Sequence, residues 1–465
     1  MKDQKLGRIL IKNASVITVD NQNRIIKDGA IFIENDLIAD IGKTDQLSPK
    51  YSSKSDKVID AKQNIVIPGL INTHTHTVFY LTRGLAMDNY TRDWLRGCIF
   101  PFQTHMTEQD GYIGALLGCI ENLKTGTTFI IDNNTNQRKD RKGITDSIAQ
   151  ATEKSGIRSI VLRGYIDMDF MIPEIFVESL DSIVHDYRHL IEKWHNKGNG
   201  RIMIWIHPAN LLYCSSESLC KSNDLAKEYS IGIHTHVAED REGMKFINER
   251  YNGKGYVDVF HDLDVLGPKF QMAHTIFVSE KEIQYIAESN ARVIYTPTAD
   301  MLLAAGAAPI EEMRKKGIVV GLGTDSPNNS QDMIQCMKFG ALLQKADAES
   351  SKAMPAEDIL RIATIEGARA IGMENQIGSL EVGKKADIVI VDIHKPHTTP
   401  FLDPVSTLVY SSCGQDVDTV LVDGEILVEG GKLTKIDESD VLIRAQQASE
   451  RLIKQFDFKI RGNFV

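Results

Sequence analysis

Residues 65–79 read Ile65-Val66-Ile67-Pro68-Gly69-Leu70-Ile71-Asn72-Thr73-His74-Thr75-His76-Thr77-Val78-Phe79. An apolar run meets a Pro-Gly break, resumes at Leu70-Ile71 and ends in two histidines separated by one residue. Residues two apart on a strand share a face. Both imidazoles can therefore point at one ion from the end of a single strand. Imidazole is the commonest protein ligand for metals and suits zinc and iron alike. A lone H-x-H is as readily a pair of polar residues at a strand end, so the rest of the chain has to decide between the two.

From Ile65 onward, short apolar strands alternate with longer helical stretches. After the quoted strand come Gly126–Asp132, Arg158–Gly164, Arg201–His207, Ile231–His236, Phe270–His274, Ala291–Tyr295 and Ile318–Asp325. Eight alternating βα units over about 250 residues are the signature of a closed parallel barrel. Residues before the barrel are rich in β-branched side chains, with Arg8–Lys12, Ala14–Thr18 and Gly29–Glu34 as short strands. Gly378–Asp392 and Val417–Leu427 read as strands again near the other end. The expected fold is α/β. A TIM-like (β/α)8 barrel spans residues 67–374, a small β-sandwich is built from 1–66 and 375–436, and a helical tail covers 437–465.

Composition narrows the function classes. The chain has 465 residues, 42% apolar and 25% charged, with a formal net charge of −10. That balance argues against nucleic acid or an anionic membrane as the partner. The six cysteines are scattered with no C-x-x-C, which is neither a disulfide framework nor a zinc knuckle. Reduced thiols in a cytoplasmic protein are expected. The N-terminus carries no signal-peptide core, and no apolar run is long enough to span a bilayer.

Barrel active sites form at the C-terminal ends of the strands. Strand one ends in His74 and His76, strand four in His207, strand five in His234-Thr235-His236 with Glu239 beyond it, strand six in His274 and strand eight in Asp325. His74, His76, one of the two strand-five histidines and Asp325 can make a site of three imidazoles and one carboxylate with a position open for water. Water held there ionises far more readily, near pH ~7 in the best cases. Glu239, three residues past His236, is placed to carry a proton to a leaving group. His274 can polarise the substrate, and Asp325 can accept the proton of the water.

In order along the chain, P-G-L-I-N-T-H-T-H, H-V-A-E, A-H-T and G-L-G-T-D-S resemble the strand-one, -five, -six and -eight motifs of the amidohydrolase superfamily. I-G-S-L-E-V-G-K-K-A-D-I-V-I-V-D is similar to the C-terminal signature of the same family. The resemblance implies one divalent metal ion per subunit, Zn2+ or Fe2+, held by His74, His76, His236 and Asp325. It makes Glu239 the general acid/base and His274 the neighbouring catalytic histidine, and it implies a homo-oligomer. Members with two metals carry a lysine at the end of strand four; here Arg201 opens that strand and His207 closes it.

Within the superfamily the chain looks most like the branch of atrazine chlorohydrolase, melamine deaminase and S-adenosylhomocysteine deaminase. Asp93-Trp94-Leu95 and Ile99-Phe100-Pro101 resemble that branch's loop after strand one. His207 resembles a substrate-binding histidine. Trp94 is a candidate to stack on a flat ring, alongside Tyr90 and Phe79. Ser326, Asn328, Asn329 and Ser330, in the loop after Asp325, are candidates to choose the leaving group. Two departures, Tyr295-Thr296-Pro297 and Arg96-Gly97, weigh against a nucleoside substrate. The expected reaction is hydrolytic deamination of a nitrogen-rich heterocycle: an aminopyrimidine, purine, triazine or cyclic guanidine. Release of chloride from an s-triazine, nucleoside-type deamination and a catalytically silent metal-binding scaffold stand as alternatives.

Overall fold

A computed structural model describes residues 7–135, 137–326 and 330–456. The expected barrel strands form, each parallel to its sequence neighbours. They are Leu70–Thr75, Thr127–Asn134, Arg158–Tyr165, Ile202–Pro208, Ile233–Val237, Phe270–His274, Arg292–Tyr295 and Val320–Leu322. Nearly every strand residue is buried, as parallel strands covered on both faces require. Helices between them carry their own start signals. Thr107 and Asp110 form a reciprocal cap on Glu108–Lys124, and Asp332 accepts the Ile334 and Gln335 amides at the start of Met333–Asp347.

The eighth strand is shorter than its apolar run, because the barrel closes there without a backbone ladder. Thr73 Oγ1 donates to Leu322 O at 2.9 Å, the Asp325 amide to His74 O at 2.9 Å, and the Thr324 amide to Asn72 Oδ1 at 3.1 Å. Gly323 permits this approach, since a Cβ there would lie 2.7 Å from His74 Cβ.

Strands from the two chain ends join in one mixed sheet of nine strands. The quoted stretch is split by its Pro-Gly break. Ile65–Pro68 pairs antiparallel with Ile388–Val391 in the end sheet, whereas Leu70 begins the barrel. The two short strands expected over residues 8–18 are a single strand, Arg8–Ile17, with a register shift after Ile11, where Asn13 takes a positive φ of 56°. Of the run Gly378–Asp392, only Ile388–Val391 is strand. Ile9, Ile11 and Ile31 from one end meet Ile388, Ile390 and Leu421 from the other in a shared apolar cluster. A buried ion network ties this sheet to the bottom of the barrel. Asp423 accepts from Arg158 at 2.6 Å and from Arg201 at 2.7 Å. The last described helix, Glu438–Gln455, packs against Glu108–Lys124, and the tail beyond 456 lies outside the described residues. Among the described residues no helix is long and apolar enough to cross a membrane.

Candidate metal centre

The barrel brings the strand-end residues together at one mouth. The ligand nitrogens of His74, His76 and His236 lie within 4.8 Å of one another, as do the ligand atoms of His74, His274 and Asp325. Asp325 Oδ1 is 3.1 Å from His74 Nε2 and 3.2 Å from His76 Nε2. All of these residues are buried. His274, Thr275 and Asp325 hold left-handed backbone conformations, with φ of 68°, 56° and 55°. Non-glycine residues kept there by their surroundings cluster at functional sites.

The donor set fits a cation, and the hydrogen bonds show why. His76 Nδ1 lies 2.9 Å from the Asn133 carbonyl, and His236 Nδ1 lies 2.7 Å from the Ala209 carbonyl. A carbonyl only accepts, so each Nδ1 carries the proton and each Nε2 presents a lone pair. Burial pushes the pKa of His236 down to about 3, with His76 and His274 adding to the effect, so its ring stays neutral. In the neutral rings the lone pairs of imidazole and carboxylate converge, and a bound cation makes that convergence favourable. Partners on the far ring nitrogens are the usual support of metal-binding histidines.

Glu239 stands beside this cluster rather than in it. Its Oε1 accepts from Asn210 Nδ2 at 3.1 Å and lies 3.9 Å from the Arg92 guanidinium, while its Oε2 is 3.6 Å from His274 Nε2. Arg92 is itself bound to Asp240 at 2.6 Å and to the Tyr213 hydroxyl, which anchors the loop after strand one over the site. His274 faces three carboxylates. Asp300 Oδ1 sits 2.9 Å from its Nδ1, and Asp325 Oδ2 is 3.6 Å from its Nε2, as is Glu239. Burial alone would lower the pKa of His274, but the Asp300 hydrogen bond and the charges of Asp300, Asp325 and Glu239 raise it to about 10.

Sequence reasoning did not single out Asp300 or Asn210. Asp300 lies on the short helix Pro297–Leu302, and Thr296 Oγ1, just before that helix, also reaches His274 Nδ1 at 3.0 Å. The only signal was an aspartate shortly after strand seven.

A cleft opens above the cluster. Phe79, Trp94, Leu95, Ile99, Phe100 and Leu303 give it an apolar wall; Thr91, Thr135, Asn210, Tyr213 and Ser326 supply polar groups. Trp94 and Ser326 thus both line the cleft. Phe79 stacks flat on His76, with ring centroids 4.9 Å apart, and Tyr90 is 72% exposed and outside this cleft. His207 lies below the cleft. It is fully buried, its Nδ1 donates to His234 O at 2.6 Å, and it does not line the cleft. Ala209, on the same face but two residues nearer the mouth, takes that place with Asn210 and Tyr213. Ser330 is also outside the lining, and its Oγ accepts the Asp332 amide at 3.1 Å. Asn328 and Asn329 lie outside the described residues. His234, the alternative strand-five ligand, packs behind His74 with its Nε2 2.7 Å from His74 Nδ1.

Comparison with known proteins gives the family and the fold. The model of the Amidohydrolase family matches residues 65–427. The 5'-deoxyadenosine deaminase of Methanosarcina mazei is 37% identical over 450 residues, covering 96% of this chain and 99% of that protein. The 5-methylthioadenosine/S-adenosylhomocysteine deaminase of Thermoanaerobacter pseudethanolicus is 36% identical over 449 residues, covering 96% of this chain and all (100%) of that protein. Among solved structures, a zinc-bound adenosine deaminase from Xanthomonas campestris superposes with a TM-score of 0.89 at 25% identity, over 96% of this chain and 98% of that one. A zinc complex of atrazine chlorohydrolase from Arthrobacter aurescens shares the fold, with a TM-score of 0.86 at 24% identity over 95% of this chain and 100% of that one.

Proposed function

Since this chain belongs to the amidohydrolase family, we propose that it is a metal-dependent deaminase of adenine nucleosides, of the 5'-deoxyadenosine or 5'-thioether type. The observation that carries the reading is the placement of Glu239. It is a carboxylate spared from the ligand cluster, hydrogen-bonded to Asn210 and facing both His274 and the cleft. Full-length likeness to deaminases of 5'-deoxyadenosine and of 5-methylthioadenosine supports the substrate class over the two local departures in sequence.

His74, His76, His236 and Asp325 would hold one zinc or iron ion, which supplies Lewis-acid chemistry that makes water a nucleophile near neutral pH. Glu239 takes a proton from the attacking water and delivers it to the departing amino nitrogen, so that ammonia rather than amide anion leaves. His274 keeps a proton at Nε2, held there by Asp300 at the opposite nitrogen, and offers it as a hydrogen bond at the reacting centre. Trp94 and Phe100 form an apolar wall for the flat base, and Ser326 and Thr135 offer hydroxyls to its edge or to the sugar. Arg92 is committed to Asp240 and Tyr213, so it shapes the cleft instead of binding an anion. A homo-oligomer, implied by the family resemblance, is part of the same reading and is read by analytical ultracentrifugation.

The test is a release assay on zinc-loaded enzyme with 5'-deoxyadenosine, 5'-methylthioadenosine, S-adenosylhomocysteine, adenosine and atrazine. Ammonia from one or more nucleosides is expected, with inosine-type products. Chloride from atrazine with no ammonia from any nucleoside would overturn the substrate class. A protein that neither contains nor takes up stoichiometric metal would overturn the metal centre itself.

A further inference from the structure

We propose that Gln271 and His234 are positioning residues that set the tautomer of His74 through a one-way chain of hydrogen bonds starting at the Ala370 carbonyl. The proposal rests on the metal-centre reading and names what orients its most deeply buried ligand.

The links are short and closed to solvent. Gln271 Nε2 donates to Ala370 O at 2.7 Å, Gln271 Oε1 lies 2.7 Å from His234 Nδ1, and His234 Nε2 lies 2.7 Å from His74 Nδ1. Gln271, His234 and His74 are each 0% exposed. Ala370 ends the helix Ile365–Ala370, and the last carbonyls of a helix have no partner within it.

The direction of every link is set by the first. Ala370 O can only accept, so the amide nitrogen of Gln271 must face it; reversing the amide would set two oxygens 2.7 Å apart. The Gln271 oxygen then faces His234 Nδ1, which must carry a proton to donate. A neutral His234 therefore has its lone pair on Nε2 and accepts from His74 Nδ1. That leaves the lone pair of His74 on Nε2, the nitrogen 3.1 Å from Asp325 Oδ1. Asn133 Nδ2 also lies 3.2 Å from His74 Nδ1, but its two N–H groups have carbonyl acceptors in Thr75 O at 2.9 Å and Ile131 O at 3.4 Å. His76 and His236 reach the same state through a single backbone carbonyl each. For His74, the relay through His234 and Gln271 does the work that one carbonyl does for the other two.

The test reads protons and metal affinity, not turnover. In zinc-loaded enzyme labelled with 15N-histidine, long-range 1H–15N NMR is expected to show His234 protonated at Nδ1 and bare at Nε2. Gln271→Leu is expected to weaken zinc binding about 10–100-fold in chelator competition, the usual range for losing a partner behind a ligand. Gln271→Glu, kept protonated by burial so that its hydroxyl donates to Ala370 O while its other oxygen accepts from His234 Nδ1, is expected to recover most of that loss. A proton on His234 Nε2 in the parent would overturn the proposal even if no variant folds. So would parent-like zinc affinity in Gln271→Leu, or equal losses in the Leu and Glu variants. If the parent bound no zinc, the metal reading would fall, while the His234 tautomer in the metal-free protein would still judge the relay.

Discussion

Glu239→Gln separates proton transfer from everything else the site does. The substitution keeps the size of the side chain and an oxygen for Asn210 Nδ2, now 3.1 Å from Glu239 Oε1. Among the described residues, it removes the only carboxylate that lines the cleft outside the ligand cluster. It also takes away one of the three anions facing His274, the one at 3.6 Å, and leaves Asp300 at 2.9 Å. The charge state of His274 and the metal ligands should therefore survive. What goes is the carrier between attacking water and leaving nitrogen. General acid–base catalysis contributes about 10²–10⁴-fold, or ~2.8–5.6 kcal/mol of barrier at ~1.4 kcal/mol per tenfold. The assay is kcat/KM for ammonia release by zinc-loaded parent and variant, with zinc content measured on the same samples. A loss in that range at unchanged zinc stoichiometry is expected. Chloride leaves without a proton, so any chlorinated substrate should lose less. Turnover within about threefold of the parent, under 1 kcal/mol of barrier, would refute the role of Glu239. Activity falling only in proportion to lost zinc would show that Glu239 serves the metal centre and not the proton.

Because the pKa of His274 is raised to about 10 from an ordinary 6.5, the stability its charge contributes is complete below about pH 6.5 and is lost as pH rises through about 10; in metal-free Asp300→Asn this alkaline loss should shift to lower pH, as thermal unfolding from neutral to alkaline pH would record. Gly323→Ala would place a Cβ 2.7 Å from His74 Cβ and 2.8 Å from His74 O, so it should cost about 1–3 kcal/mol in urea unfolding and weaken zinc binding at least about tenfold. Asp423→Ala removes the carboxylate shared by Arg158 and Arg201, whose ion pairs are 2.6 and 2.7 Å long, and leaves them Asp387 at 3.3 Å and Glu425 at 2.9 Å; a loss of about 1.5–3 kcal/mol in unfolding free energy is expected, with zinc content unchanged because the network lies at the opposite end of the barrel.

Local pattern alone was enough for the barrel and its ligand-bearing strand ends. Parallel strands buried on both faces leave continuous apolar runs, and a period of two puts His74 with His76 on one face, so both signals sit within a few residues of chain. The end sheet was legible only in outline, because whether Ile65–Pro68 pairs with Ile388–Val391 depends on a partner at the far end of the sequence. The packing of His234 behind His74, the burial of His207 below the mouth, and the neighbours of Asp300, Asn210 and Gln271 were decided by tertiary structure. Each depends on which lone pair or proton a neighbour from another strand presents at hydrogen-bond distance. Residue type and spacing say which atoms can bond; only the closed barrel settles which of them meet, and in which direction the proton points.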